Sequence, residues 1–153
     1  LLSNLKLKND TLVHRDFHVS NLMKYKKQLA TIDTQDALIG NSAYDLASLI
    51  DDVRFKSNKK LKAIIYNYYL KLNKNKINKE ILLNDFEILS VLRNMKIIGI
   101  FARLAARDKK MKYLKLIPYA WKLIELRTEN NEIFDNLKTV LNLNFSKEIR
   151  NIK

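Results

Sequence analysis

Cysteine is absent from the 153 residues, which excludes disulfides and thiolate metal sites. That absence agrees with a reducing, cytoplasmic setting, the location expected here. Proline occurs once and glycine twice, which suits a helix-dominated body and leaves no Pro/Gly-rich linker. No apolar run reaches the roughly 18 residues a membrane helix needs, so no membrane partner is expected. No signal-peptide pattern is visible, and the chain opens on Leu1 rather than methionine, so the true start of the protein is expected upstream. Acidic residues are also few, 16 against 29 basic ones, for a net charge of +13.

Such an excess invites a nucleic-acid reading. The composition argues against it. The basic residues are 22 Lys and only 7 Arg, scattered among 17 Asn. Nucleic-acid sites favour the arginine fork, with aromatics interleaved. The densest basic stretch, KSNKKLKAIIYNYYLKLNKNKINK over 56–79, carries Leu61, Ile64, Ile65, Tyr68, Tyr69 and Leu72 at helical spacing. The spacing predicts an amphipathic helix whose lysines form the wet face, and no nucleic-acid partner is expected.

Hydrophobic residues make up 47% of the chain, enough for a core in one domain or in a piece of a larger one. Two unlike parts follow each other. Over 11–34 the pattern is β-rich: TLVH reads as a short strand, and NLMKY and LATID flank Lys26 and Lys27 as a hairpin. From Ala43 the period becomes helical, with Ala43, Leu46, Ala47, Leu49, Ile50 and Val53 on one side and Ser42 as N-cap. Further helices are predicted over about 58–73, 80–107 and 131–142. The helix over 80–107 carries Leu83, Phe86, Leu89, Leu92, Ile97, Ile100 and Leu104, and Pro118 opens another helix through Trp121, Ile124 and Leu126. The fold class expected is α+β, predominantly helical, in one domain over 1–153. Site-bearing loops would occupy 11–41 and a helical subdomain 42–145.

Within LVHRDFHVSNLM, Leu12 to Met23, stands His14-x-Asp16-x-x-x-x-Asn21, and Asp33 ends the strand LATID. A carboxylate, an amide and a second carboxylate after a short hairpin form the set that phosphoryl transfer uses. One carboxylate orients an acceptor hydroxyl and takes its proton, and the other two groups offer oxygen ligands to Mg²⁺. H-R-D-x-x-x-x-N followed by a metal-binding Asp is the kinase arrangement. Read singly, His14 is a buried structural histidine and the aspartates are solvated. In this arrangement the imidazole braces the loop. His18 reads as a loop residue.

The stretch VHRDFHVSNLM…ATIDTQDALIGNSAYDLASLIDDVR resembles the aminoglycoside phosphotransferase/choline kinase-like superfamily. Within it the chain is similar to bacterial kinases that phosphorylate the anomeric hydroxyl of N-acetylmuramate and N-acetylglucosamine in cell-wall recycling. That likeness continues through RNMKIIGIFARLAARDKKMKYLKLIP, Arg93 to Pro118. The resemblance implies ATP and Mg²⁺ as cofactors and a small-molecule substrate. It implies Asp16 as the catalytic aspartate with His14 bracing its loop, Asn21 and Asp33 as Mg²⁺ ligands, and Asp45 as a structural tie from its helix to the loop. Asp36 would touch substrate or cap its turn. Arg103 and Arg107, one helical turn apart, would meet an anionic group such as a lactyl carboxylate, or pair with Asp108, Asp51 or Asp52. Trp121 and Tyr119 would stack on a sugar ring or pack in the core.

Two departures accompany the likeness. Thr34 follows Asp33 where these kinases usually carry an aromatic, a matter of packing more than of chemistry. No glycine-rich loop and no strand lysine precede the catalytic loop, so the residues that contact nucleotide are unassigned and the chain reads as a C-terminal lobe whose N-terminal lobe is missing. Alternatives remain: an aminoglycoside, choline or a hydroxy amino acid as acceptor, or a truncated binding module without catalysis. A eukaryotic-type protein kinase is disfavoured, because no glycine completes D-F-G and no A-P-E follows.

Overall fold

A computed structural model of the chain describes residues 1–74 and 76–151. The architecture is α+β and predominantly helical, with two small two-stranded sheets. The chain divides into two compact units, Ser3–Leu89 and Ser90–Lys153 with Leu1–Leu2.

The first unit holds all the strands. β1 (Asn9–Val13) pairs antiparallel with β4 (Leu38–Asn41), with Leu12 opposite Ile39 and a register irregularity between Asn9 and Thr11. β2 (Leu22–Tyr25) and β3 (Gln28–Thr31) form the hairpin expected around Lys26 and Lys27, Tyr25 facing Gln28 across the turn. Lys26 takes a left-handed φ of 54°, which a tight two-residue turn requires. The sequence reading did not anticipate β4. Its four residues show no alternation, and its partner lies about 27 positions earlier, so only tertiary pairing makes it a strand.

Three helices complete this unit: α1 (Ala43–Ile50), α2 (Lys59–Leu72) and the first part of α3 (Lys79–Asp108). Ala43, Leu46, Ala47 and Ile50 of α1 follow the i, i+3, i+4, i+7 pattern and meet Leu82, Phe86 and Leu89 of α3 in one buried cluster. Tyr66 of α2 packs edge-on against Phe86 at 5.3 Å. Burying a side chain such as Phe86 contributes roughly 2–3 kcal/mol. The cap of α1 differs from expectation. Ser42 already has helical φ/ψ and caps nothing, while the Asn41 side chain accepts the Ala43 amide at 3.0 Å.

α2 begins at Asn58, whose side chain accepts the Leu61 amide. Its faces depart from the simple amphipathic picture. Ile64, Tyr68 and Leu72 are exposed, and the one buried residue of the helix is Lys62. The apolar positions are too many for the arc that packs, so some face water. Lys62 turns inward because its ammonium meets Asp51 Oδ1 and the Ile50 carbonyl, each at 2.7 Å. An ammonium is also favoured there by the negative end of α1.

In the second unit α3 continues to Asp108, a 3₁₀ stretch covers Met111–Leu116, and α4 (Ile117–Thr128) follows with Pro118 in its first turn. The last predicted helix begins as a 3₁₀ turn, Glu132–Phe134, continues as α5 (Asp135–Asn144), and is followed by an unforeseen short α6 (Lys147–Arg150). α4 buries Ile117, Ala120, Trp121, Leu123 and Ile124. Arg150 lies over the Trp121 ring at 4.9 Å and pairs with Glu125 at 3.1 Å.

Candidate functional site

The loop joining β1 to β2, residues 14–21, carries the motif. It folds back on itself: the His18 amide donates to Asp16 O at 3.0 Å and the Asn21 amide to His18 O at 2.9 Å, closing a 3₁₀ turn over Val19–Asn21. The Asn21 side-chain amide donates to Asp16 O at 3.0 Å. Its nitrogen is thereby used by the loop, and its carbonyl oxygen is the atom left for a ligand.

Asp33 reaches the same end of the hairpin. Ile32, the residue before it, donates its amide to Asn21 O at 3.1 Å, and the Ile32 carbonyl accepts His14 Nε2–H at 3.0 Å. A carbonyl only accepts, so the proton of His14 sits on Nε2. Among the described residues its buried Nδ1 has no hydrogen-bond partner. Asp16 and Asn21 are therefore joined directly, and Asp33 follows the Ile32 residue that both Asn21 and His14 hold. Asp16 and Asp33 are exposed, and His14 is buried.

Two residues of this region hold the left-handed backbone that non-glycine residues avoid: Arg15 with φ 72° and Asp33 with φ 69°. Arg15 is held by Asp45. The two Asp45 oxygens accept the His14 and Arg15 amides at 2.7 and 3.0 Å. Asp45 lies in the first turn of α1, where the helix dipole favours a carboxylate. Gln35 Nε2 donates to Asp33 Oδ1 at 2.7 Å and steadies the second left-handed position.

Among the described residues, none of the other predicted site residues shares a side-chain hydrogen bond with Asp16, Asn21 or Asp33. The Asp36 turn is closed by backbone, Ala37 amide to Thr34 carbonyl at 3.0 Å, and Arg15 Nη1 approaches the Asp36 carbonyl at 3.4 Å. The Asp36 side chain is exposed and, among the described residues, receives no hydrogen bond. Arg103 and Arg107 stand exposed on the part of α3 in the second unit. Arg107 pairs with Asp108 at 2.6 Å. That hydrogen bond holds the Asp108 carboxyl below its ordinary value and the Arg107 guanidinium above its own. Asp51 is engaged by Lys62, and Asp52 by Arg54 at 3.5 Å. Trp121 is buried against Phe145 at 5.2 Å, so its ring is a packing element.

Two polar residues, Asp85 and Asn41, escaped the sequence reading, and a third, Asp52, was read only as an ion-pair partner for Arg103 or Arg107. Asp52, fully buried just past α1, accepts the Val19 amide at 3.3 Å. Asp85 and Asn41 are buried and joined at 2.6 Å. The signal for Asp85 was available: a carboxylate amid LLNDFEIL, on the apolar side of a helix, needs donors.

Residues 1–76 match the family model described as the phosphotransferase enzyme family. The chain belongs to this family. It is 36% identical over 123 residues to an N-acetylmuramate/N-acetylglucosamine kinase of Neisseria meningitidis serogroup B, 77% of this chain and 37% of that protein. Proteins of the same name from Caulobacter vibrioides and Pseudomonas aeruginosa are 30% and 34% identical over 118 and 119 residues. Those matches cover 74% of this chain in each case, and 32% and 35% of the relatives. The chain thus spans about a third of the length of the curated phosphotransferases it matches. A phosphotransferase implies a divalent cation, and the donor chemistry fits one. A hard cation such as Mg²⁺ takes oxygen ligands, keeps several waters, and needs only one or two carboxylates from protein. Asp33, with its exposed carboxylate, and Asn21, with the amide oxygen that its bond to Asp16 leaves over, are the residues that would hold it.

Proposed function

We propose that the chain is the C-terminal lobe of a small-molecule kinase that transfers the γ-phosphate of ATP to a hydroxyl of an amino sugar such as N-acetylmuramate or N-acetylglucosamine. The observation that supports this reading is the bond of Asn21 Nδ2 to Asp16 O, together with the Ile32 amide on Asn21 O, which sets the backbone next to Asp33 against the loop. The acceptor class comes from the relatives, three of which are named N-acetylmuramate/N-acetylglucosamine kinases.

In this reading Asp16 faces the acceptor hydroxyl, orients it toward the γ-phosphate and takes its proton as the new P–O bond forms and the bond from the γ-phosphorus to the bridging oxygen breaks, releasing ADP. Asn21 and Asp33 hold Mg²⁺, which when bound neutralises charge on the phosphates. His14 keeps the Ile32–Asp33 turn against the loop. Asp36, Arg103 and Arg107 are offered as substrate contacts, the last at the cost of its bond to Asp108. Domain organisation follows: catalytic and metal-binding loops over 11–41, a helical subdomain over 42–145, and a nucleotide lobe supplied by an N-terminal part of a longer, cytoplasmic protein.

The test uses the full-length protein, ATP, Mg²⁺ and a panel of amino sugars, aminoglycosides, choline and hydroxy amino acids. Phosphorylation of N-acetylmuramate or N-acetylglucosamine is expected, with Asp16→Asn lowering kcat at least ~10²-fold, the scale of a lost proton acceptor. An Asp16→Asn protein of undiminished kcat would refute the role. The 153-residue chain alone is expected to show little or no activity, because positioning and electrostatics supply most of the catalysis in this reaction.

A further inference from the structure

The loop that bears Asp16 is held by Asp45, and Asp45 can only hold it if the first turn of α1 is itself fixed. That turn starts at Ala43, whose amide is accepted by Asn41 Oδ1 at 3.0 Å. The other end of the same side chain, Nδ2, donates to Asp85 Oδ2 at 2.6 Å. Asp85 is fully buried in α3 and is surrounded by amide donors: Lys6 N at 2.9 Å, Leu7 N at 2.8 Å and Asn84 Nδ2 at 2.9 Å, besides Asn41. A buried carboxylate met by four donors is expensive to disturb, since every donor would lose a charge-assisted bond.

From α3 to the motif the connection is continuous: Asp85, Asn41, the start of α1, Asp45, then the His14 and Arg15 amides. Asn41 is the polar hinge of this chain of bonds, because it must donate at one end and accept at the other. A primary amide does both at once, its nitrogen donating and its oxygen accepting. We propose that Asn41 and Asp85 form a positioning pair that sets where α1 starts and thereby where Asp16 stands. The kinetic part of this proposal rests on the phosphotransfer reading above.

The experiment is a swap in the full-length protein. Asn41→Asp sets two carboxylates against each other, and Asp85→Asn turns a donor or a mismatched amide toward Asn41. Each single change is expected to lower kcat by about 10- to 100-fold, the scale of a displacement of about 1 Å at reacting groups. The KM for ATP should stay near its wild-type value, and hydrogen exchange at the His14 and Arg15 amides should rise. In the double variant, Asn41→Asp with Asp85→Asn, the roles are exchanged. The carboxylate now at position 41 accepts from the Ala43 amide and from the side-chain amide now at position 85. That variant is expected to recover kcat and the protection of His14 and Arg15. The Leu7 amide stays unprotected, because the oxygen it used has become an amide nitrogen.

The proposal is overturned if either single variant keeps wild-type kcat and His14/Arg15 protection, or if the double variant leaves those two amides exchanging freely. Should the single variants fail to fold, the double variant alone decides by the same exchange measurement. Exchange needs no turnover. A wild-type protein inactive on every acceptor, with the exchange pattern intact, would therefore sink the phosphotransfer reading and leave the positioning pair standing.

Discussion

Replacing Lys62 with methionine isolates the ion pair that joins α2 to the end of α1. Lys62 Nζ lies 2.7 Å from Asp51 Oδ1, and the two side chains are 10% and 0% exposed. At that burial the surrounding water screens little, so the pair behaves as an interior one. Methionine preserves the stem and its packing but leaves the Asp51 carboxylate buried without its ammonium. Breaking one side of such a pair costs about 3–5 kcal/mol. The Ile50 carbonyl also loses its 2.7 Å donor, a further ~1 kcal/mol. For a chain of this size each kcal/mol moves Tm by about 2–4 °C, so a fall of roughly 8–24 °C is expected. The partner control is Lys62→Met combined with Asp51→Asn. Removing both charges should recover most of the loss, because a buried pair costs nearly as much to desolvate as it returns. Urea denaturation followed by far-UV circular dichroism, at low and high salt, measures all three proteins. A loss under about 1 kcal/mol for Lys62→Met, the range of a surface pair, would refute the burial argument. So would a loss that vanishes at high salt.

Arg15 at φ 72° bears the strain of a side chain in left-handed backbone, so Arg15→Gly should be neutral to stabilising by up to about 1 kcal/mol in urea melts, and Arg15→Val clearly destabilising. The same logic at the hairpin turn, φ 54°, makes Lys26→Asn raise the denaturation midpoint slightly. For Asp108 the pH effect has a definite sign. The bond from Arg107 lowers its folded pKa below the ordinary 3.8, so the pair stabilises the fold above that value and ceases to do so as pH falls through the lowered one. Asp108→Asn should therefore melt slightly below wild type at neutral pH and together with it at strongly acidic pH, in parallel thermal scans.

Local rules were enough for the long elements. α3 and α4 end within a residue or two of where their apolar period and Pro118 put them, and Lys26–Lys27 marks the hairpin turn. The motif was legible because its chemistry is written in a short span, 14 to 33. What escaped was set by distant partners. β4 exists through β1, Asn41 displaces Ser42 as cap because Asp85 holds it, and Lys62 turns inward because Asp51 waits there. Period alone placed all the apolar residues of α2 inward. It could not say which of them would find neighbours, and Ile64, Tyr68 and Leu72 did not.

The β2–β3 ribbon has one further consequence. In a sheet of two strands every strand is an edge, and here Met23, Tyr25 and Leu29 also stand 53%, 68% and 76% exposed. Open main-chain rows beside greasy side chains are the ingredients of strand-to-strand aggregation. A solution of this polypeptide should thus scatter more light as it is concentrated, despite its thirteen surplus positive charges. A lysine at position 29 should keep it clear.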